Sequence, residues 1–240
     1  MGRSVLKLNG LFEQRGASPT DRERITADLV SGIVTEQSDQ QSTTRRNWEI
    51  GGDYDYEIDS DSRFRVLFIA NDRNSTSDRI RYDVSNQELK PNLFLDQLSR
   101  DRERIIRTSL TRNVSEKQGL ELGAEGAQTI RDSDLKMGLD TPGERNESYG
   151  NLVPVSIDNS KSTVQEIRYE PFMIHNWQIN DRMSLETRLI YESSTIEQSG
   201  DVSRERSFSF VKPRIDYRYN LTQSFQAVSY THLTLPTTGV

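Results

Sequence analysis

Two short patterns contain residue types that could do chemistry. Ser133-Asp134-Leu135-Lys136 has the spacing in which a lysine activates a serine nucleophile, and Asp59-Ser60-Asp61-Ser62 begins like a calcium-binding loop. The companion motifs of the serine acylases are missing, and Arg63-Phe64 stands where the calcium loop needs a ligand and a glycine. The first pattern therefore predicts no nucleophile, and the second predicts a tight polar turn.

Histidine, cysteine and glycine give no better indication of catalysis. His175 and His232 are far apart, and the absence of cysteine excludes a thiolate metal site. Gly119, Gly123 and Gly126 do not have the spacing of a dinucleotide-binding loop. The sequence predicts no catalytic residue, no metal ligand and no cofactor, and the protein is expected not to be an enzyme. No ligand-binding residue can be named.

A row of acidic residues is the most distinctive charged feature. Glu49, Asp53, Asp55 and Glu57 alternate with apolar residues, so in a strand they would share one face. They could attract cations, but a structural role facing water in a polar interior is favoured. Basic residues of a later segment could pair with this acidic row across the polar interior. These are Arg102, Arg104 and Arg107.

The composition narrows the class of protein that must position these groups. Hydrophobic residues make up 32% of the 240 residues, and the mean hydropathy is −0.77. So polar a chain is typical of disorder or of a transmembrane β-barrel, in which only alternate residues face lipid. The net charge of −6 argues against a nucleic-acid partner. No apolar run is long enough for a transmembrane helix.

Alternation with a period of two residues favours β-strands over helices and disorder. In residues 48–58 apolar and polar side chains alternate strictly, which indicates a strand with one apolar face; a helix would bring Glu49, Asp53 and Glu57 together at repelling i, i+4 spacing. Weaker alternation recurs along the chain. Nine strands are predicted, covering 5–15, 24–36, 48–58, 63–71, 104–111, 120–129, 163–179, 183–192 and 215–221, with the start of a tenth at 222–226.

The connections between these strands alternate in length. The short ones are 16–21, 59–62, 113–118, 180–181 and a turn near Asn220, and the long ones are 37–46, 72–101, 132–162 and 193–206. Such alternation predicts an all-β, antiparallel up-and-down meander with its tight turns at one edge. Tight turns at one edge and long loops at the other are typical of outer-membrane barrels, and the fold is predicted to be a partial transmembrane β-barrel of about 9–10 strands.

Aromatic residues lie near the predicted strand ends. Trp48 and Tyr191 adjoin long connections, and a second group adjoins short turns. The second group comprises Tyr56, Trp177, Tyr217 and Tyr219. Two aromatic belts are what the two membrane interfaces favour, although aromatics also favour strands in general.

The C-terminal residues are predicted to be non-native. Residues 228–237 read Val-Ser-Tyr-Thr-His-Leu-Thr-Leu-Pro-Thr, which is the translation of a transposase adapter used in sequencing libraries. The expected organisation is a partial outer-membrane β-barrel domain at 1–226 and an adapter-derived tail at 227–240. Because the N-terminus lacks the apolar core of a signal peptide, we expect a fragment at both ends.

Several strands resemble barrel segments of TonB-dependent outer-membrane receptors. The resemblance covers about residues 45–226 and is carried by Trp48 to Asp53, 63–71, Trp177 to Glu192, Ser194 to Asp201 and Arg206 to Pro213. Plugged barrels of this type use about 22 strands, so the chain would hold less than half of one. The N-terminal energy-coupling box, the plug domain and the aromatic-ended last strand of the family are not found in this sequence.

The resemblance implies a function in nutrient import. A Gram-negative outer-membrane receptor would take up a scarce siderophore-, cofactor- or glycan-like ligand. Its partners would be outer-membrane lipid, its own plug domain and the TonB complex, with no nucleic acid. A porin-like or structural barrel without energy coupling and a secreted soluble β-sandwich that binds carbohydrate or protein remain alternatives.

Overall fold

The chain folds almost wholly into antiparallel β-strands. The computed structural model describes residues 2–85, 88–221, 226–232 and 235–239. The strands are β1 (Arg3–Ala27), β2 (Val34–Glu57), β3 (Ser62–Ser85), β4 (Glu88–Ser115), β5 (Gln118–Leu139), β6 (Val153–Val155), β7 (Lys161–Asn180), β8 (Met183–Gly200), β9 (Arg204–Asn220), β10 (Gln226–His232) and β11 (Leu235–Gly239). A short 3-10 helix at Glu147–Tyr149 precedes β6.

Nine of these strands form a meander in chain order. The order in the sheet is β1-β2-β3-β4-β5-β7-β8-β9-β10, with β6 paired to β5 and β11 paired to β9. The all-β antiparallel prediction is confirmed. The sheet is not closed into a barrel, and among the described strands β1 pairs only with β2. Among the same residues, no helix has the length and apolar character needed to cross a bilayer.

Residues 58–61, 116–117 and 181–182 join consecutive strands at one edge of the sheet, where the sequence predicts tight turns. Short turns at 28–33 and 201–203 lie at the other edge, so the predicted alternation of short and long connections is wrong. At 59–62, the Asp59 carboxylate accepts a hydrogen bond of 2.9 Å from the Asp61 backbone N–H, which makes this segment a polar turn. We call this side of the sheet the tight-turn edge and the other side the opposite edge.

The predicted turn at 16–21 and the predicted strand at 24–36 are wrong. Residues 16–21 lie inside β1, where the register with β2 shifts between Arg15 and Ser18. Residues 24–36 are divided between the end of β1, a turn at 28–33 and the start of β2. Gly16 and Pro19 suggested a turn, but a bulge in an edge strand accommodates both residues.

Three predicted long loops are also wrong. Residues 37–46 are strand, residues 72–101 are strand except for Asn86 and Gln87, which lie outside the described residues, and residues 193–206 are strand except for the turn at 201–203. Ladder hydrogen bonds and cross-strand polar pairs hold these polar segments, since a strand does not need an apolar face to pair. The fourth predicted loop, 132–162, is wrong in part, because 132–139 belong to β5 and 161–162 to β7, whereas 140–160 are largely irregular. Residues 222–225 of the predicted tenth strand lie outside the described residues, and β10 begins at Gln226.

The buried apolar core is small. Within the described residues, the buried apolar side chains are Leu93, Leu152, Phe172 and Ile174. A soluble domain of this size buries most of the apolar surface that its unfolded chain exposes. The apolar residues of this sheet must therefore be covered by something other than the described chain, or remain open to solvent.

Candidate functional site: an apolar face and a charged face

The two faces of the sheet differ in polarity and in exposure. On β2, Trp48, Ile50, Tyr54 and Tyr56 point to one face and are 36–51% exposed. The alternate residues point to the other face, where Gly51 is buried and the acidic row is mostly half-buried. Apolar side chains are thus more exposed than charged ones, the reverse of a water-soluble protein.

The register extends this apolar face across the sheet. Tyr56 lies in one lateral row with Phe64, Leu110, Leu122, Met173, Leu189 and Pro213, each directly opposite the next. Cross-strand partners share a face. Other large exposed members of the face include Leu8 at 67%, Ile106 at 55% and Ile215 at 47%. We call this continuous surface the apolar band.

Polar residues limit the apolar band on both sides. On β3 the face changes from Ser62 to Phe64 at the tight-turn edge and from Ala70 to Asp72 on the other side, so the band spans about ten residues. On β5 the limits are Gln118 and Gln128. Beyond the band, on the side away from the tight turns, the strands continue as polar segments such as 34–46 and 73–85, which we call the polar extension.

The limits of the band run obliquely to the lateral rows. The lateral row that contains Trp48 reaches β8 at Glu197. The aromatic residue at the same border of the band on β8 is Tyr191, which lies six residues nearer the tight-turn edge. The row of Tyr56 meets β9 at Pro213, and the aromatic there is Tyr219, again six residues nearer. Five lateral steps separate the first pair and six the second, so the band shifts by about one residue per strand.

A chain of alternating charges crosses the charged face. Arg107 Nη1 lies 3.9 Å from Glu125 Oε2, and Arg168 Nη2 lies 3.5 Å from Glu125 Oε1. Arg168 Nε in turn lies 3.4 Å from Glu170 Oε2. It continues 3.4 Å from Glu170 Oε1 to Lys212 Nζ, which also contacts Glu192. We call these six residues, on β4, β5, β7, β8 and β9, the ionic chain.

The ionic chain includes closely packed groups. Glu192 is only 8% exposed. The Arg107 guanidinium lies 4.3 Å above the centre of the Phe172 ring, a cation–π contact. Gly123 leaves space for that ring, because a Cβ at Gly123 would lie 2.3 Å from Phe172 Cζ. Charges in such packing are tolerated only when they are paired.

The acidic row has partners, but mostly not the predicted ones. Lys7 Nζ lies 3.7 Å from Asp53, and Arg65 lies 3.6 Å from Asp53 and 3.1 Å from Asp55. Arg63 lies 3.7 Å from Glu57. These basic residues come from the adjacent strands β1 and β3, and their signal in the sequence was alternation in phase with the acidic row.

The predicted pairing of the acidic row with Arg102, Arg104 and Arg107 is wrong. Arg102 and Arg104 have even numbers on β4 and therefore point to the face of the apolar band, where they contact Asp132 and Gln128. Arg107 is on the charged face and contacts Glu121 at 3.7 Å as well as Glu125. Sequence alone could not give the register that separates these positions from β2.

The catalytic and metal patterns do not assemble into sites. Ser133 and Lys136 are three residues apart on β5 and point to opposite faces, and Lys136 pairs with Asp96 at 3.1 Å. Among the described residues, no group of three His, Cys, Asp or Glu side chains is placed to hold a metal ion. His175 lies within β7, as predicted, with Nε2 at 3.3 Å from Gln118 Oε1. His232 is in β10.

Ion pairs also organise the polar extension. Arg79 on β3 donates from Nε to Asp39 Oδ1 on β2 at 2.7 Å, and this hydrogen bond lowers the pKa of Asp39. The pKa of Asp140 is lowered by its contacts with Lys90 and Arg145. Asp201 accepts from the Lys161 backbone N–H at 2.9 Å, which lowers the pKa of Asp201. These carboxylates stay ionised well below neutral pH.

Among the polar cavities of the charged face, two are of interest for binding. The larger, about 660 Å³, lies at the tight-turn edge, and its charged lining includes Lys117, Glu121, Glu186, Asp216 and Arg218. The second, about 330 Å³, lies in the polar extension among residues of β2 to β5. Both are mouths of an open concave surface rather than enclosed pockets.

No protein-family model matches the sequence, and no curated protein matches it with significant similarity.

Proposed function

We propose that this chain is part of a transmembrane β-barrel of a bacterial outer membrane, and that the barrel imports a nutrient. The observation that supports this most is the inverted polarity of the sheet. Ile106 on the apolar face is 55% exposed, whereas Glu192 on the charged face is 8% exposed. Such a sheet is stable where hydrocarbon covers the apolar face and a wet lumen faces the charged one.

The oblique band supports the same proposal. A shift of one residue per strand is about 3.3 Å along the strand for every 4.8 Å across the sheet, which corresponds to a strand tilt of about 35°. Strands of outer-membrane barrels tilt by about 35–45°. Because a bilayer is flat and the strands are tilted, its borders must cross the lateral rows obliquely, whereas an aqueous interface imposes no such shift.

The height of the band also fits a bilayer. The ten residues between Ser62 and Asp72 on β3 extend about 33 Å along the strand and, at a tilt of about 35°, about 27 Å along the membrane normal. The apolar band of an outer-membrane barrel is about 25 Å tall. Trp48 and Tyr191 lie at one border and Tyr56, Trp177 and Tyr219 at the other, where interfacial aromatics are expected.

The more specific function, uptake by a TonB-dependent receptor, rests on the resemblance of the strands at 45–226. The ionic chain and the acidic row give a lumen wall suited to contact a polar plug. A porin-like barrel would need no plug, and only a receptor gene encodes a plug of more than a hundred residues upstream of the barrel. Cloning and sequencing the flanking DNA therefore separates the two. A soluble β-sandwich is disfavoured, because a single sheet accounts for the described strands.

The membrane proposal can be tested with the two natural tryptophans. Trp48 and Trp177 are 36% and 39% exposed on the apolar face and lie at opposite borders of the band. The 240-residue chain and its Trp48→Phe and Trp177→Phe variants are folded into phosphatidylcholine vesicles, with strand content checked by circular dichroism. Lipids brominated at shallow or deep acyl positions then quench the fluorescence.

We expect quenching of each tryptophan, stronger with shallow than with deep bromines, because interfacial rings lie near the headgroups. A Trp substituted for Ile106 in the double Phe background, at mid-band, should show the reverse order. Strand-rich protein whose tryptophans respond to aqueous iodide but to neither brominated lipid would overturn the membrane assignment.

A further inference from the structure

The second cavity combines arginines with hydroxyl groups. It lies on the charged face of the polar extension, beyond the apolar band, and measures about 330 Å³. Its lining includes Thr43, Arg45, Arg73, Ser77, Ser99 and Arg131. We call this surface the arginine cleft. Under the proposed function it faces the lumen on the side away from the tight turns, which is the external side of an outer-membrane barrel.

Two of the three arginines have no acidic partner. Arg131 Nε lies 2.8 Å from Asp101 Oδ1. Among the described residues, Arg45 and Arg73 form no ion pair, and both are exposed. Some other basic groups of this face are paired, as Arg79 is with Asp39 and Lys212 with two glutamates. The lining of the cleft holds three arginines and one acidic residue, Asp101, so the arginine cleft carries a local excess of positive charge in an acidic chain.

The hydroxyl groups of the cleft form a preorganised polar floor. Ser77 Oγ accepts from Gln41 Nε2 at 3.0 Å and lies 3.2 Å from Thr43 Oγ1. Ser75 and Ser99 lie directly opposite each other on β3 and β4. Side-chain hydroxyls both donate and accept, so this floor matches hydroxyl groups of a ligand, while guanidinium groups match carboxylates in a bidentate manner.

We propose that the arginine cleft is a first binding site for an anionic, hydroxyl-rich ligand, of which an acidic oligosaccharide is the representative class. Arg45 and Arg73 bind its carboxylates, and the Thr43, Ser77 and Ser99 hydroxyls bind its sugar hydroxyls. This inference rests on the proposed import function, and it specifies the substrate class of that function.

Calorimetric titration of the folded 240-residue chain tests the proposal. The probe is tri-galacturonate, and galactotriose is the neutral analogue of equal size. We expect tri-galacturonate to bind, with an affinity that falls as salt is raised, and galactotriose to bind at least tenfold more weakly. Arg45→Gln and Arg73→Gln should each weaken tri-galacturonate binding about tenfold, since each removes a charge-assisted hydrogen bond to a carboxylate.

Arg46→Gln is the matched control. Arg46 is the chain neighbour of Arg45 but points to the opposite face, so the same loss of charge should leave binding unchanged. Arg45→Lys should retain part of the affinity. Equal binding of both trisaccharides, or an equal loss in Arg45→Gln and Arg46→Gln, would overturn the proposal. Brominated-lipid quenching of the same samples reports the membrane assignment separately, so failure of one does not imply failure of the other.

Discussion

An arginine placed at the centre of the apolar band separates a membrane-facing sheet from a water-exposed one. Ile215 is suited to this change because it is 47% exposed and lies on β9 about midway between Ser209 and the border aromatic Tyr219, which point to the same face. If its exposed half contacts hydrocarbon, that half contributes about 0.7–1.4 kcal/mol, from about 1.5–3 kcal/mol for a fully buried isoleucine. The guanidinium adds its own desolvation. A total loss of about 2–4 kcal/mol is expected for Ile215→Arg at the bilayer midplane.

The matched control is Ser207→Arg. Ser207 lies on β9, on the same face and eight residues further from the tight-turn edge, outside the band. Its hydroxyl group is 3.0 Å from that of Thr195, in an exposed position. We expect this variant to lose no more than about 1 kcal/mol, the cost near an interface. Both variants introduce the same charge into the same strand, so their difference isolates depth.

Urea unfolding in dilauroyl phosphatidylcholine vesicles, followed by tryptophan fluorescence, measures both free energies of unfolding by linear extrapolation. If the band faces water, Ile215→Arg is a surface substitution and changes the free energy by less than about 0.5 kcal/mol. A loss below that limit in Ile215→Arg, or equal losses in the two variants, would refute the depth argument.

Three further predictions concern the charged face and the polar extension. Lys212→Met should cost about 3 kcal/mol in urea unfolding, because Glu192 loses its cation beside Glu170, which keeps only Arg168; adding Glu192→Gln should recover part of the loss, and no recovery would contradict the pairing. Gly123→Ala should cost about 1–3 kcal/mol, since the added Cβ would lie 2.5 Å from the Thr108 carbonyl oxygen, whereas Gly126→Ala, whose Cβ would lie 3.8 Å from its nearest neighbour, should be nearly neutral in the same assay. Asp39 has a lower pKa in the folded than in the unfolded chain because of Arg79. The stabilisation that the Asp39 carboxylate contributes is therefore present above about pH 4 and is lost as the pH falls through the folded pKa. The urea midpoint should drop between pH 5 and 3 in the parent chain, and by a smaller amount in Asp39→Asn.

The strands near the tight-turn edge could be predicted because their signal is local. Residues 48–58 and 183–192 alternate between apolar and polar side chains, and residues 63–71 are apolar on both faces at mid-length; each segment lies in or overlaps an observed strand. The turns at 59–62, 113–118 and 180–181 contain Asp, Asn and Ser, which hydrogen-bond to their own backbone in turns. Alternation also identified which residues share the apolar face with Trp48, because the period of a strand is two residues.

The polar extension could not be predicted from local pattern. Residues 37–46 and 72–101 have no apolar face, so they looked like loops, yet they form strands paired with neighbours that are equally polar. Gly16 and Pro19 suggested a turn where β1 continues through a bulge. The composition of a segment indicates how much apolar surface it can bury, whereas strand pairing depends on whether another strand continues beside that segment.

The sequence by itself determined that this protein is an antiparallel meander with one apolar and one charged face, because alternation and tight turns act over a few residues. Only the tertiary structure decided the register, and with it the ionic chain, the partners of the acidic row, the oblique limits of the apolar band and the arginine cleft. Register depends on hydrogen bonds between residues far apart in the chain, such as Gly123 and Phe172, and a slip of one residue would exchange the two faces.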